Sequence, residues 1–330
     1  MQGFGAVKFR TETEVAPFAH KIGYGSRLLA IGSCFADNMA ASLARAKFRV
    51  TANPAGVLFN PVSIARTLRI FDSCTEVRPE ELQRSGDRFF DYRFHGSLAG
   101  SSAAETAAKI NDAVKVGHEA LGSCDTVIIT FGTAWVYELN ATGEVVANCH
   151  KQPAALFTRR RLSVGEIAAE FSELLETLLK GRHVIFTVSP VRHLGDGADE
   201  NFLSKATLKL AVAELVERFD NAIYFPAYEI MNDDLRDYRF YADDMVHPSP
   251  QAVAYIREKF FGAALTEHAA SLVPRIERIA AAASHRPFDP HSEAFRTFCR
   301  RTLDDIAALE NEESLLDFAA EKQYFAALLQ

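Results

Sequence analysis

Short apolar segments alternate with segments of helical period along the first 265 residues of this chain. The clearest strand is 125–132, which is apolar, rich in β-branched residues and ended by Gly132. Similar runs occupy residues 27–31, 48–52, 183–188 and 222–225. Because strands that alternate with helices pair in parallel and are covered on both faces, the pattern predicts a three-layer α/β/α fold with a parallel sheet. Functional sites in such folds lie at the carboxyl ends of the strands.

Local signals predict several element boundaries. Asn60-Pro61 is typical of a helix start, and Ser163 with Glu166 has the spacing of a capping box. A turn at Thr142-Gly143 between two short apolar runs predicts a hairpin. A further helix is expected over 204–218. The cluster Arg159-Arg160-Arg161 is interpreted as a solvated approach to the helix that Ser163 begins.

The pattern divides the chain into an α/β domain, residues 1–265, where any active site is expected, and a helical C-terminal extension, residues 266–330. An insertion at about 72–102 carries arginine, aspartate and aromatic residues without a clear period, and we expect two short strands in it. A break at 285–290 precedes the amphipathic helices predicted at 292–309 and 313–328. These helices either pack on the core or form a subunit interface, so a homo-oligomer is one expectation.

Charge and cysteine usage argue against several classes of protein. The formal net charge is −7 without a long basic run, which disfavours a nucleic-acid partner. No stretch is long and apolar enough to span a membrane, and residues 1–16 lack the pattern of a signal peptide. The five cysteines are scattered and form no Cys-x-x-Cys pair, which argues against a disulfide framework or a zinc site. The sequence therefore predicts a cytoplasmic protein without a cofactor or a metal.

Two sequence features carry candidate chemistry. Ser33 lies at a strand-to-helix junction, and the Asp-x-x-His segment of Asp244 and His247 lies near the end of the sheet region. An imidazole can deprotonate a serine, and a carboxylate can orient that imidazole. The backbone N–H of Ser33, at a helix N-terminus, is expected to stabilise an oxyanion. Each feature also has a structural interpretation, because a serine before a helix is usually an N-cap.

The segment Gly32-Ser33-Cys34-Phe35-Ala36 resembles the signature of the GSCFA-domain family. That family looks like a branch of the SGNH/GDSL hydrolase superfamily, whose fold is flavodoxin-like. The resemblance covers roughly residues 25–265 and leaves the later helices outside. Its further segments are Asn53-Pro54-Ala55-Gly56, Asn60-Pro61, Phe131-Gly132-Thr133-Ala134-Trp135, Asn148-Cys149-His150-Lys151, Ser189-Pro190-Val191-Arg192-His193 and 244–248.

The resemblance implies roles for particular residues. Ser33 would be the nucleophile, His247 the base and Asp244 the residue that orients it. A glycine N–H in the second block would bind the oxyanion, and Gly56 matches it. The third block is usually Gly-x-Asn-Asp, and here Ala134 stands at the Asn position and has no side-chain donor.

A replacement donor for the missing Asn is therefore expected, because one lost oxyanion donor costs about 2.7–4 kcal/mol of transition-state stabilisation. Asn148 is the first candidate and the hydroxyl of Thr133 the second. Gly132, Trp135, His150 and His193 are the further candidates for contact with substrate. Each has a structural alternative, such as core packing for Trp135.

Three functions fit these residues. The first is hydrolysis of an O-acyl ester, such as an acetyl ester, of a carbohydrate or small molecule through an acyl-enzyme on Ser33. The second is transfer of the acyl group to a glycan hydroxyl, with the same residues and an acceptor pocket. The third is a non-catalytic binding module that keeps the fold.

Overall fold

The computed structural model of the protein describes residues 10–285, 289 and 292–329. Within these residues the strands are β1 Arg27–Gly32, β2 Arg49–Ala52, β3 Gln83–Ser85, β4 Arg88–Phe90, β5 Thr126–Phe131, β6 Trp135–Leu139, β7 Val145–Val146, β8 Phe157–Arg161, β9 His183–Val188 and β10 Ala222–Tyr224. The α-helices of the same residues are α1 Cys34–Arg45, α2 Pro61–Ser73, α3 Ala103–Ser123, α4 Val164–Glu176, α5 Gly197–Arg218, the single turn α6 Ala227–Glu229, α7 Pro250–Ala264, α8 Glu267–Ser284, α9 Glu293–Glu312 and α10 Ala319–Ala327.

Five of these strands form one parallel sheet in the order β10-β9-β5-β1-β2. Successive side chains of a strand point to opposite faces, and the two sides of β1 bury different residues. Leu28 packs in a core with α1, α7 and the C-terminal helices, whereas Leu29 packs in a second core with α2, α3, α4 and α5. The sheet therefore has helices on both faces, which confirms the predicted three-layer α/β/α fold.

Helix starts follow their capping residues. The Asn60 side chain accepts a hydrogen bond from the Ser63 amide at 2.8 Å, and Pro61 occupies the first turn of α2. Ser163 and Glu166 form the expected capping box at the start of α4. The helix predicted at 204–218 begins earlier, because α5 starts at Gly197.

A separate antiparallel sheet lies beside the main one, in the order β7-β6-β8. The predicted hairpin is confirmed as β6 and β7, and the insertion contains the two expected short strands, β3 and β4. The interpretation of residues 159–161 as a solvated segment is wrong, because they belong to β8 and pair with β6. Their charges are met by neighbouring carboxylates; Arg160, for example, lies 2.7 Å from both Glu138 and Glu166.

The C-terminal helices complete one face of the main sheet. Buried residues of α8, α9 and the segment before α10, such as Ile276, Cys299 and Phe318, belong to the same core as Leu43 of α1. Of the two alternatives for these helices, the structure shows packing on the core. Helix α8 was not among the predicted helices, and most of the break expected at 285–290 lies outside the described residues.

The crossing of α2 and α3 depends on a glycine. A Cβ at Gly117 would lie 2.3 Å from the ring of Phe71, which is fully buried, whereas a Cβ at Gly122 in the same helix would meet nothing within 4 Å. We expect Gly117→Ala to lower the free energy of unfolding by about 1–3 kcal/mol through overpacking. Gly122→Ala is the matched control and should raise it by up to about 1 kcal/mol. Urea denaturation measures both; equal effects of the two substitutions would contradict this account of the crossing.

Candidate active site at the carboxyl edge of the sheet

Ser33 follows β1 directly and occupies the N-cap position of α1, but its hydroxyl does not cap the helix. The side chain makes no capping hydrogen bond, and Oγ is buried without a hydrogen-bond partner among the described residues. A buried hydroxyl without a partner costs about 1–3 kcal/mol. The geometry therefore removes the main structural explanation for a serine here.

The turn that holds Ser33 is built by Gly32 and Asn53. Gly32 has a φ of +135°, and a Cβ there would lie 2.1 Å from the Thr130 carbonyl oxygen, so only glycine fits. The Asn53 side chain accepts from the Gly32 amide at 2.8 Å and donates to Asp37 of α1 at 2.7 Å. Asn53 thus ties the end of β1 to the first turns of α1. The sequence offered a signal for it, because it opens the block Asn53-Pro54-Ala55-Gly56.

Asp244 and His247 form a pair on the loop before α7. The His247 Nδ1 atom lies 2.6 Å from Asp244 Oδ2, and Asp244 Oδ1 accepts from the amides of Val246 and His247 at 3.0 and 2.9 Å. These hydrogen bonds, those of the backbone amides first, lower the pKa of Asp244 to about 2. The carboxylate is therefore charged at neutral pH and favours the imidazole tautomer that leaves the Nε2 lone pair free.

Loop contacts bring this pair to the edge of the sheet where Ser33 lies. The Arg192 amide, after β9, donates to the Val246 carbonyl at 3.4 Å. Within the described part of the chain, however, no hydrogen bond joins Ser33 Oγ to His247. The Ser33 hydroxyl is buried, whereas the side chains of His247 and Asp244 are about half exposed, at 48% and 49%. In the structure His247 is thus accessible, whereas the hydroxyl of Ser33 is covered.

Both backbone amides expected to bind an oxyanion have other partners. The Ser33 N–H donates to the Thr130 carbonyl at 3.0 Å, and the Gly56 N–H donates to the Asn53 carbonyl at 2.8 Å. Neither amide is free to bind an oxyanion in this conformation, and the assignment of these two donors stays a prediction. Gly56 is required for a different reason, because its φ is +81° and a Cβ there would lie 2.5 Å from His95.

The Thr133 hydroxyl is paired with that of Ser204. Its Oγ1 accepts from the Trp135 amide at 3.0 Å and lies 3.0 Å from Ser204 Oγ, which itself accepts from the Ala134 amide at 2.8 Å. One of these hydroxyls donates to the other, so the Thr133 proton is free only when Ser204 is the donor. Asn148 uses Oδ1 to accept from the His150 amide at 2.7 Å, and its Nδ2 makes no hydrogen bond with the described residues. Of the two predicted replacement donors, Asn148 is thus free to donate in either case.

A cavity of about 290 Å³ is lined by several of the residues predicted to contact substrate or to donate to an oxyanion. Asn60 was not predicted there, although the motif Asn60-Pro61 is visible in the sequence. Ser33 and Gly132 do not line it, and the Gly132 amide is engaged by the Phe59 carbonyl at 2.8 Å. The lining residues are Phe59, Asn60, Thr133, Trp135, Tyr137, Val146, Ala147, Asn148, Cys149, Arg159, His193 and Asp196.

Of the two other candidate histidines, only His193 lines the cavity. Burial, followed by the positive charge of Lys205, lowers its pKa to about 4, so it is neutral at neutral pH. His150 instead stacks on Phe90 at 4.4 Å and holds the insertion, since its Nε2 lies 3.0 Å from the Asp91 carbonyl. In the structure His150 therefore packs within the protein, and its contact with substrate stays a prediction.

Trp135 lines the cavity but is not free on both faces. The Arg159 guanidinium lies 4.1 Å from the centre of its ring, a cation–π contact. A sugar stacked on this side of Trp135 would have to displace the arginine.

Lys205 is the residue that sequence reasoning missed, because a lysine in a helical pattern is normally interpreted as a surface residue. Its side chain is fully buried, and Nζ donates to the carbonyls of Gly132 and Ser189 at 2.6 and 2.8 Å. The ammonium group therefore joins the carboxyl ends of β5 and β9. Burial lowers its pKa to about 7, and the closeness of Cys34, next to Ser33, acts in the other direction.

The described residues contain no group of three or more His, Cys, Asp or Glu that could hold a metal ion. Among the helices of the same residues, none is both long and apolar enough to cross a membrane.

The fold and this edge define a three-layer α/β/α protein with a serine turn and an Asp–His pair at the carboxyl ends of its strands. The chain belongs to the GSCFA family, whose model matches residues 27–260. A second model, described as the C-terminal domain of GSCFA domain proteins, matches residues 276–330. The expectation that the family resemblance ends near residue 265 is therefore wrong. No curated protein matched the chain.

The buried lysine makes a prediction about stability. Between pH about 7 and about 10.5 the folded state loses the Lys205 proton while the unfolded state keeps it, so stability should rise with pH. The free energy of unfolding of the wild type, minus that of Lys205→Met, should therefore increase across this window. Urea denaturation at several pH values measures the difference, with Lys115→Met at an exposed position of α3 as control. A difference that is flat or falls with pH would contradict the assignment of a buried, titrating lysine.

Proposed function

We propose that the protein is a serine esterase of the SGNH type that hydrolyses an O-acyl ester, such as an acetyl ester, of a carbohydrate or small molecule. Ser33 Oγ attacks the acyl carbon while His247 Nε2 takes its proton. The bond to the alcohol then breaks, and the alcohol leaves with that proton. Water, deprotonated by His247, releases the acid and restores Ser33.

The observation that carries the proposal is the Asp244–His247 pair, at the edge where β1 ends in an uncapped, buried serine. The carboxylate is fixed by two amides, charged at neutral pH and 2.6 Å from Nδ1 of the imidazole. A surface aspartate and histidine without a role have little reason to be held in this way. The pairing supports the roles of base and orienter that the family resemblance implies.

Catalysis on this scheme requires a rearrangement between Ser33 and His247. The hydrogen bond of the mechanism is absent among the described contacts, and Ser33 Oγ is covered. Catalytic hydrogen bonds often tighten only when the substrate is bound. Movement of the exposed Asp244–His247 loop toward β1 would make the contact.

Oxyanion stabilisation is assigned in this proposal to Asn148 and Thr133, which line the cavity. The Asn148 Nδ2 group has no partner among the described residues, and Thr133 can donate when Ser204 donates to its Oγ1. Lys205, whose Nζ contacts the carbonyls of Gly132 and Ser189, adds positive charge at this edge of the sheet in its protonated form. A charge held in a dry site stabilises a developing oxyanion.

Two alternatives remain as proposals. A non-catalytic binding module is favoured by one observation, namely that the amides of Ser33 and Gly56 are both engaged elsewhere. Acyl transfer to a glycan hydroxyl uses the same residues as hydrolysis and differs only in the acceptor.

A cellular location and an oligomeric state are also proposed. The five cysteines are all free, which suits the reducing cytoplasm. A homo-oligomer through the C-terminal helices would use their remaining exposed apolar side chains, Phe298, Leu315 and Tyr324.

An activity-based probe tests the nucleophile. We expect a fluorophosphonate to label the wild type and to leave Ser33→Ala unlabelled, because the probe reacts with an activated serine. Cys34→Ala is the matched control at the adjacent position and should remain labelled, since burial raises the pKa of that thiol and disfavours the thiolate. Mass spectrometry of the labelled peptide identifies the residue. Label on Ser33→Ala at the wild-type level would reject Ser33 as nucleophile.

The replacement oxyanion donor can be found by substitution. Asn148→Ala and Thr133→Val each remove one candidate donor, and loss of the functional one should lower kcat by about 100- to 1000-fold. Steady-state hydrolysis of 4-nitrophenyl acetate gives kcat, and thermal unfolding shows whether each variant is folded. Near wild-type kcat in both folded variants would exclude both donors.

A further inference from the structure

A second cavity, of about 380 Å³, adjoins the Asp244–His247 loop. Its lining includes Met245, which lies between the two residues of the pair in the chain, and Arg192, which precedes His193 of the first cavity. Met245 and Arg192, which are adjacent in sequence to the proposed catalytic pair and to a residue of the first cavity, therefore line a separate cavity. Its volume is within the usual range of small-molecule sites.

The charge of this second cavity is positive because one arginine has no counter-ion. The described residues place no carboxylate within ion-pair distance of Arg192. Its Nη2 donates to the Asn232 side chain at 2.7 Å, and its Nε is buried without a partner. A guanidinium has five N–H donors, and the remaining Nη donors of Arg192 make no hydrogen bond with the described residues, so they can meet a ligand.

The other charged residues of the second cavity are already neutralised. Arg236 is ion-paired with Asp233, and Asp237 is 3.4 Å from Arg239. Arg192 is thus the uncompensated charge. A half-buried cation of this kind is costly unless an anion joins it, and a guanidinium binds a carboxylate through two parallel hydrogen bonds.

Apolar and aromatic side chains make up much of the remaining lining, beside Asn232. Met231 is fully buried, and Met245 and Tyr241 add a thioether and an aromatic ring. The Tyr241 ring centre lies 5.9 Å from the Arg192 guanidinium. Unbranched methionines adjust to ligands of different shape, so these walls suit a short hydrocarbon chain or ring.

Met245 links the second cavity to the proposed base. Its φ is +60°, a left-handed conformation that is uncommon for residues other than glycine. Strained residues of this kind persist where surrounding structure fixes them, and they cluster at ligand sites. A ligand in contact with the Met245 side chain would touch, and could shift, the turn that contains Asp244 and His247.

We propose that the second cavity is a subsite for a carboxylate, carried on a short apolar linker by the ester substrate and bound by Arg192. The proposal rests on the esterase function proposed above and adds a substrate class to it. The carboxylate belongs either to the acyl part or to the alcohol part of the ester.

Matched esters test the proposal and distinguish the two sources. For the acyl part, 4-nitrophenyl hemiglutarate is compared with 4-nitrophenyl butyrate. For the alcohol part, 4-acetoxybenzoate is compared with phenyl acetate. In the wild type, kcat/KM should favour the anionic member of one pair, and Arg192→Gln should lower that preference by about tenfold or more. Arg218→Gln, at an exposed position of α5 outside the cavity, is the control and should keep the preference.

Binding provides a readout that needs no turnover. Glutarate is titrated into Ser33→Ala by calorimetry, and we expect binding that Arg192→Gln abolishes in the same background. Arg192→Lys keeps the positive charge but loses the bidentate contact, so this variant should bind glutarate more weakly than the protein with Arg192. The same variant tests the subsite if Arg192→Gln does not fold.

The outcomes separate the subsite from the esterase. Turnover of both ester pairs without a preference for an anion, and without glutarate binding, would overturn the subsite and leave the esterase intact. Arg192-dependent glutarate binding in a protein that neither turns over esters nor labels at Ser33 would support the subsite and reject the esterase. Absence of both activity and binding would overturn both.

Discussion

The close approach of Gly32 to the Thr130 carbonyl decides where Ser33 can lie. A side chain at position 32 would collide with that carbonyl at 2.1 Å, so the turn out of β1 at this position requires glycine. Asn53 then fixes the turn by accepting from the Gly32 amide and donating to Asp37. Because neither the serine hydroxyl nor a capping bond contributes to this arrangement, the fold holds Ser33 through its neighbours and leaves its Oγ uncommitted.

Positive charge at the carboxyl edge of the sheet is the second constraint. Lys205 is buried between two strand-end carbonyls, and Arg192 has no carboxylate within ion-pair distance among the described residues. Buried cations destabilise a fold unless an anion pairs with them. The chain as a whole has a net charge of −7, so this local excess of cations does not follow from its composition. An edge of this kind suits both a developing oxyanion and an anionic substrate.

Local patterns in the sequence predicted most of the fold. Apolar, β-branched runs such as 125–132 revealed the strands of the sheet, and Asn60 and Ser163 revealed helix starts, because these signals act over a few residues. Strand β8 was not predicted, since Phe-Thr-Arg-Arg-Arg has no strand-like apolar pattern and forms a strand only through its pairing with β6. The Asp-x-x-His spacing likewise predicted the contact of Asp244 with His247, because both residues lie in one turn.

Contacts between distant segments escaped prediction. The amide of Ser33 looked free in the sequence, but its acceptor, the Thr130 carbonyl, lies on the distant strand β5. The burial of Lys205 depends on how α5 lies against the ends of β5 and β9, which no local pattern records.

The separation between the covered serine and the exposed base follows from how each is held. Ser33 is fixed by the sheet and α1, which are packed on both sides, whereas His247 lies on a loop whose pair is half exposed. A rearrangement that joins them must therefore move the loop, because moving Ser33 would break the Gly32–Asn53 turn and the start of α1. Met245 is the residue of that loop whose backbone is left-handed and whose side chain enters the second cavity. Occupation of that cavity by an anion on Arg192 would thus act on the same segment that has to move, so that binding of the substrate and assembly of the proposed catalytic set would be coupled through one turn.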